Sequence, residues 1–193
     1  MIEKVILRIP RTSIEPENTF LFSDPHFDHA NIIKYCKRPF KSVEEMNETI
    51  LRNYNKVVRD DSLLIFLGDM SFGRGSRPAK YWLQQLKGQR IIYIKGSHDH
   101  GIRPTNTNDC YDMVILGTLH LIHNYEDIQT PEWVIHGHNH NNRPLLNRKH
   151  KRINVSCDVT RFSPISLDSI LELIKNPNLM SLHKKQKCHI IKV

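Results

Sequence analysis

Five short apolar runs in this chain each stop abruptly at residues able to hold a metal ion. FLFSDPH leads to Asp24 and His26, LIFLGD to Asp69, and IIYIKGSHD to Ser97, His98 and Asp99; LHLIH ends at His123, and WVIHGHNH at His136, His138 and His140. Runs of Leu, Ile, Val and Phe without polar alternation read as strands covered on both faces. In open α/β sheets the loops beyond the carboxyl ends of such strands converge on one crevice, where ligands gather.

The segments between these runs supply helices. From Ser42 to Val58 the apolar positions Val43, Met46, Ile50, Tyr54 and Val57 recur at three and four residues, the period of an amphipathic helix. Ser42 with Glu45 three places on has the form of a capping box. Ala30–Cys36, Pro78–Leu86 and Ser166–Ile174 read as further helices; Val5–Ile9, Thr19–Ser23, Asp112–Ile115 and Ile153–Cys157 read as further strands. Alternation of this kind predicts an α/β protein with sheet at the centre and helices outside. No repeat or linker divides it, so one domain is expected over 1–193, with a basic stretch at 180–193.

Composition narrows the setting. Hydrophobic residues at 39% and charged residues at 25% suit a globular protein rather than a disordered one. No apolar run approaches the roughly 20 residues that span a bilayer. The first residues, MIEKVILRIPRTS, lack a signal-peptide pattern. Cysteines 36, 110, 157 and 188 show no paired spacing, as for reduced thiols, and a cytoplasmic location is expected. The net charge of +8 favours anionic partners, phosphate esters or nucleic acid, over a membrane. Much of the excess lies in RPLLNRKHKR (143–152) and the C-terminal LHKKQKCHIIKV. Neither interleaves aromatic residues as a single-strand binding platform does.

Taken singly, an Asp-x-His or a Gly-Asp after a strand is ordinary turn chemistry. Together, two carboxylates and three histidines form a donor set suited to Mn, Fe, Zn, Co or Ni. With two metals about 4 Å apart, one aspartate can bridge both and a bridging water can become a hydroxide nucleophile near neutral pH. His120 and His123 point to opposite faces of a strand, so only one of them faces the crevice; His123 ends its run as the other candidates do. Ser97 has a histidine and an aspartate beside it, but consecutive residues do not readily fold into a nucleophile–base relay. The G-x-S-x-G elbow is also missing.

The ordered set Asp24-x-His26, Gly68-Asp69, Gly96-Ser97-His98-Asp99, His123 and Gly137-His138-x-His140 resembles the calcineurin-like metallophosphoesterase superfamily, over about Leu21 to His140. The flanking DPHFDHANIIKYCKRPF and NVSCDVTRFSPISLDSI are similar to its small stand-alone members. The resemblance implies two β-sheets packed as a sandwich with helices on the outer faces, and two divalent transition metals (Mn, Ni, Fe, Co or Zn). Asp24, His26 and His140 would hold the first metal, Asp69 would bridge, and His123 and His138 would hold the second with whatever occupies position 97. His98 would stand beside the scissile phosphate as proton donor or charge stabiliser, oriented by Asp99. The family has asparagine at position 97; serine is about one bond shorter, which weakens the second seat. His29 and Arg38 are candidate phosphate contacts, as are His100, His136 and Arg143. The expected activity is phosphodiester hydrolysis. The alternatives are a nuclease, and a metal- or nucleic-acid-binding protein on the same fold with impaired catalysis.

Overall fold

The computed structural model describes residues 4–99 and 110–176. His100, Cys188 and the basic stretch 180–193 lie outside the described residues. In chain order the strands are β1 (Ile6–Ile9), β2 (Thr19–Phe22), β3 (Leu63–Phe66), β4 (Arg90–Ile94), β5 (Cys110–Tyr111), β6 (Met113–Leu116), β7 (Leu119–Ile122), β8 (Val134–His136), β9 (Leu146–Asn147), β10 (Arg152–Asn154) and β11 (Ile165–Ser166). The helices are α1 (Ala30–Tyr35), α2 (Val43–Val57), α3 (Ala79–Leu83) and α4 (Leu167–Lys175). Among the described residues, none is long and apolar enough to cross a membrane.

The strands form two mixed sheets, one in the order β1-β6-β7-β8-β10-β9 and the other β11-β2-β3-β4-β5. Together they make the α/β sandwich expected from the sequence. The continuous apolar runs are explained by two-sided burial. Along β3, Leu64 and Phe66 face the helices, where they meet Met46, Ile50 and Tyr54 of α2 and Trp82 of α3. Ile65, with Leu67 just past the strand, turns the other way, into a core shared with Ile92 and Ile94 and with Val114, Leu121, Ile135 and Ile153 of the second sheet. All of these but Trp82 are fully buried, and successive residues of one strand serve two different cores. On the outer face of the six-stranded sheet, Met113, Ile122 and Val134 form a small cluster against Tyr125 and Ile128.

Helix α2 starts where the capping pattern places it. The Glu45 amide donates to Ser42 Oγ at 3.1 Å, but the Glu45 carboxylate accepts from the Lys41 amide at 2.7 Å rather than from Ser42. Helix α3 is shorter than Pro78–Leu86 because regular helix ends at Leu83.

Strands β2, β3 and β4 run parallel, as do β7, β8 and β10. Within each set the carboxyl ends therefore reach the same edge. A parallel bridge between Ser23 and Ser156 ties the two sets together just beyond β2 and β10, with the Cys157 amide donating to the Ser23 carbonyl at 2.9 Å.

Candidate metal centre

Past that edge the chain leaves regular structure, and the backbone conformations are unusual. Asp24, His26, Asp69, His138 and His140 all have positive φ, between 48° and 67°. Non-glycine residues adopt this region infrequently and at a local cost, and such residues cluster at functional sites. The loops hold one another in place: the Asp24 amide donates to the Gly68 carbonyl at 3.0 Å and the His26 amide to the Asp69 carbonyl at 3.2 Å. The His138 amide donates to the Asp24 carboxylate, 3.1 and 3.0 Å from its two oxygens. Gly137 and Gly96 permit these close approaches. A Cβ at 137 would collide with Ser23 Oγ and the Asp24 carboxylate, and one at 96 with the Asp69 carboxylate.

Two groups of side chains result whose ligand atoms lie within 4.8 Å of one another, Asp24–His26–His140 and Asp69–His123–His138. Asp69 connects them, its Oδ2 lying 3.5 Å from His26 Nε2 and 3.3 Å from His123 Nε2. Both ring nitrogens of His26 are buried without a hydrogen-bond partner. A buried polar atom left so is costly unless something absent from the protein chain satisfies it. Divalent cations fit that description and the donor set.

Two of the histidines are aimed by contacts behind them. His123 Nδ1 lies 2.7 Å from the Leu67 carbonyl, which leaves Nε2 facing Asp69. His140 Nδ1 lies 2.7 Å from Asp158 Oδ2, which leaves Nε2 as its other ligand atom. Fixing the tautomer through the opposite ring nitrogen is how ligating histidines are usually oriented. A third possible group, Cys36–His140–Asp158, shares His140, and its Asp158 oxygens are already engaged by His140 and Arg38.

The charges follow from burial and neighbours. Burial opposes a charged His123, but the Asp69 contact and the nearby Asp24 outweigh it and raise its pKa to about 9. His140 is likewise raised against its burial, to about 10, by Asp158. His26 is dominated by burial and falls to about 3, so it stays neutral. Burial alone would push Asp69 up, but its histidine neighbours hold it well below the usual carboxylate range. In the metal-free protein His123 and His140 thus carry protons at neutral pH. Their folded pKa values exceed the unfolded 6.5, so the stability they lend is fully present below pH 6.5 and is lost as pH rises through 9 to 10. Metal affinity should run the opposite way, because metal and proton compete for the same nitrogens. Urea unfolding of metal-free protein and Mn²⁺ competition titrations over pH 6.5–10 are expected to show opposed slopes.

The remaining candidates divide. Ser97 is exposed, with its hydroxyl 3.3 Å from His138 Nδ1, at the lip of the Asp69 group. His98 is exposed; its amide donates to Asp69 Oδ1 at 2.8 Å, and its ring stands 5.5 Å from that of His26. His29 lies in a groove leading away from His98. His136 is buried against Tyr125, and Arg143 lines a separate cavity with both of them. His120, the rejected alternative to His123, is absent from both ligand groups.

Two expectations are corrected. Asp99 does not orient His98: its carboxylate accepts from the amides of Asp69 and Gly96 at 2.8 Å each, and from Met70 at 3.4 Å. It braces the two loops that carry Asp69 and Ser97. Arg38 is no phosphate contact, because its guanidinium is buried with every donor used. It pairs with both Asp158 oxygens at 2.9 Å and donates to the Pro25 and Asp24 carbonyls at 2.7 and 2.8 Å. The Met46 sulfur takes the remaining N–H, and Cys157 Sγ lies 3.2 Å from Nη2 as a further acceptor.

Asp158 and Ser156 were missed in the sequence. Ser156 Oγ donates to Asp24 Oδ2 at 2.6 Å. Their only signal is position, directly after the last central strand in NVSCD, the same punctuation that marks the other ligands.

An α/β sandwich whose two sheets jointly present paired His/Asp groups defines a candidate metal centre. The chain belongs to the family of the uncharacterized protein MJ1445 of Methanocaldococcus jannaschii, with which it shares 43% identity over 167 residues, 81% of this chain and 90% of that one. The Gene 66 protein of Mycobacterium phage L5 is 31% identical over 99 residues, 50% of this chain and 46% of the phage protein. The fold is shared with AQ665 from Aquifex aeolicus, a solved protein of unknown function, at a TM-score of 0.57 and 24% identity over 81% of this chain and 98% of that one. A Pseudomonas putida nuclease, MPE, overlays at a TM-score of only 0.40 and 21% identity, over 66% of this chain and 62% of that one. No protein-family model matches the chain.

Proposed function

We propose that this protein is a divalent-metal-dependent phosphoesterase that prefers phosphodiesters. One observation carries the reading: Asp69 stands between two largely buried ligand groups, and in one of them the His26 ring has no hydrogen-bond partner on either nitrogen. Asp24, His26 and His140 would hold one ion, and His123 and His138 the other, with Asp69 shared. Bound there, divalent ions would supply Lewis acidity toward phosphoryl oxygens and would lower the pKa of an attacking water. The protein's own part is to keep both groups in register, through Asp158 behind His140, the Leu67 carbonyl behind His123, and Ser156 on Asp24. His98, exposed and with its ring 5.5 Å from that of His26, would hand a proton to the leaving alkoxide, which a diester needs more than an aryl monoester does.

Ser97 bears on how active this chain is. Its hydroxyl stands 3.3 Å from His138 Nδ1, and it would be a poorer ligand for the second seat than the longer asparagine of the resembled family. Ser97→Asn is expected to raise affinity at that seat, and the hydrolysis rate with it, by roughly ten- to hundredfold, the scale of ligand-shell changes. Metal content and cleavage of bis(p-nitrophenyl) phosphate, measured for both forms with Mn²⁺ and Ni²⁺, test the proposal. Failure of both to cleave any aryl phosphate ester would sink it. One bound ion without turnover in the natural form, and turnover only in Ser97→Asn, would instead support the second reading, a metal-binding protein with impaired catalysis.

A further inference from the structure

A groove of about 690 Å³ leads away from His98, lined among others by His29, Asn31, Ser71, Phe72 and Arg74. Its volume falls within the range of small-ligand sites. Phe72 is the unusual member. It is 38% exposed, belongs to none of the buried clusters, and sits on the loop that follows Asp69. Its ring centroid lies 4.1 Å from that of His98, 4.9 Å from His29 in a perpendicular arrangement, and 6.4 Å from His26. Tyr35, 72% exposed, stands 6.1 Å beyond His29. Among the described residues the one acid lining the groove, Asp28, is neutralised by the Arg77 guanidinium and held by Asn47. Arg74 is exposed and makes no ion pair among the described residues.

Exposed flat rings and an exposed cation beside the candidate metal centre are the two parts a nucleotide needs: a face to stack its base, and charge for a neighbouring phosphate. Resting on the phosphoesterase reading, we infer that this groove seats the nucleobase of a nucleotidyl phosphodiester, stacked on Phe72, while the scissile phosphorus lies at the metal centre. Every base has a π-face, so the groove tolerates all of them, and Arg74 lies toward the next phosphate of a longer chain. The competing role for Phe72 is to prop His98. A prop would affect catalysis with every substrate and leave base recognition unchanged.

The test compares two ligands that differ only in the base, AMP and ribose 5-phosphate, by calorimetry on Mn²⁺-loaded protein. The natural protein is expected to bind AMP about five- to hundredfold more tightly, the range for stacking one base on an aromatic side chain. Phe72→Leu keeps most of the volume without the π-face and should bring that ratio to about one; Phe72→Trp should keep it. An unchanged ratio in Phe72→Leu, or a parallel loss for both ligands, overturns the inference. Hydrolysis of bis(p-nitrophenyl) phosphate is scored separately. Its absence strikes the phosphoesterase reading, whereas loss of base discrimination in the natural protein strikes only the groove, and adenosine against ribose reports on the groove in metal-free protein.

Discussion

Asp69→Asn is expected to lower metal-supported phosphodiester cleavage by about a thousandfold or more, at least the scale seen when a single transition-state-stabilising group is removed. The substitution leaves the shape of the side chain and replaces one carboxylate oxygen by an amide nitrogen that cannot ligate. Because Asp69 Oδ2 faces both His26 and His123, both ligand groups lose a member at once. The backbone is less affected, since the Asp69 amide and carbonyl are held by Asp99 and by the His26 amide. Metal analysis of the purified variant should therefore show reduced occupancy of a folded protein. Retention of two ions per chain with a rate within tenfold of the parent would remove Asp69 from its bridging position.

Arg38→Met is expected to cost about 3–5 kcal/mol of folding stability, the scale for breaking a buried ion pair from one side. The methionine fills part of the volume but leaves Asp158 buried without its partner and leaves the Pro25 and Asp24 carbonyls without their donor. The effect is read from the midpoint of urea unfolding. A phosphate-contact role for Arg38, as the sequence suggests, would raise KM and leave the unfolding midpoint in place. The two roles predict opposite outcomes in one experiment.

That contrast shows where sequence reasoning stops. Leu63–Phe66, Arg90–Ile94 and Val43–Val57 lie within one or two residues of the segments expected from apolar run and helical period, because burial on both faces and amphipathic repeats are written locally. β9 and β11, each of two residues, were not anticipated. They exist only because β10 and β2 offer them a backbone to pair with. At the site, the ligand candidates could be read because they end apolar runs. The left-handed backbone at Asp24, His26, Asp69, His138 and His140 could not, since no glycine announces it and it depends on contacts between loops. Arg38 and Asp158 are 120 residues apart, and neither carries a local mark of its partner. The family resemblance implied Asp99 as the partner of the His98 ring, but its carboxylate is taken up by the amides of Gly96 and Asp69 instead.

The candidate ligands come from both layers of the sandwich. Asp24 and Asp69 follow strands of the five-stranded sheet, whereas His123, His138 and His140 follow strands of the six-stranded one, and Asp24 meets the His138 amide across 114 residues of chain. An ion held there is a cross-link between layers, present only in the native state and absent from any species in which the sheets have not yet met. Contacts of such long range are slow to form and form late. A bound metal would therefore act on the unfolding rate more than on the folding rate, and at about a hundred times its dissociation constant would add roughly 2.7 kcal/mol of stability. The same residues that would turn over substrate also set how long the two sheets stay together.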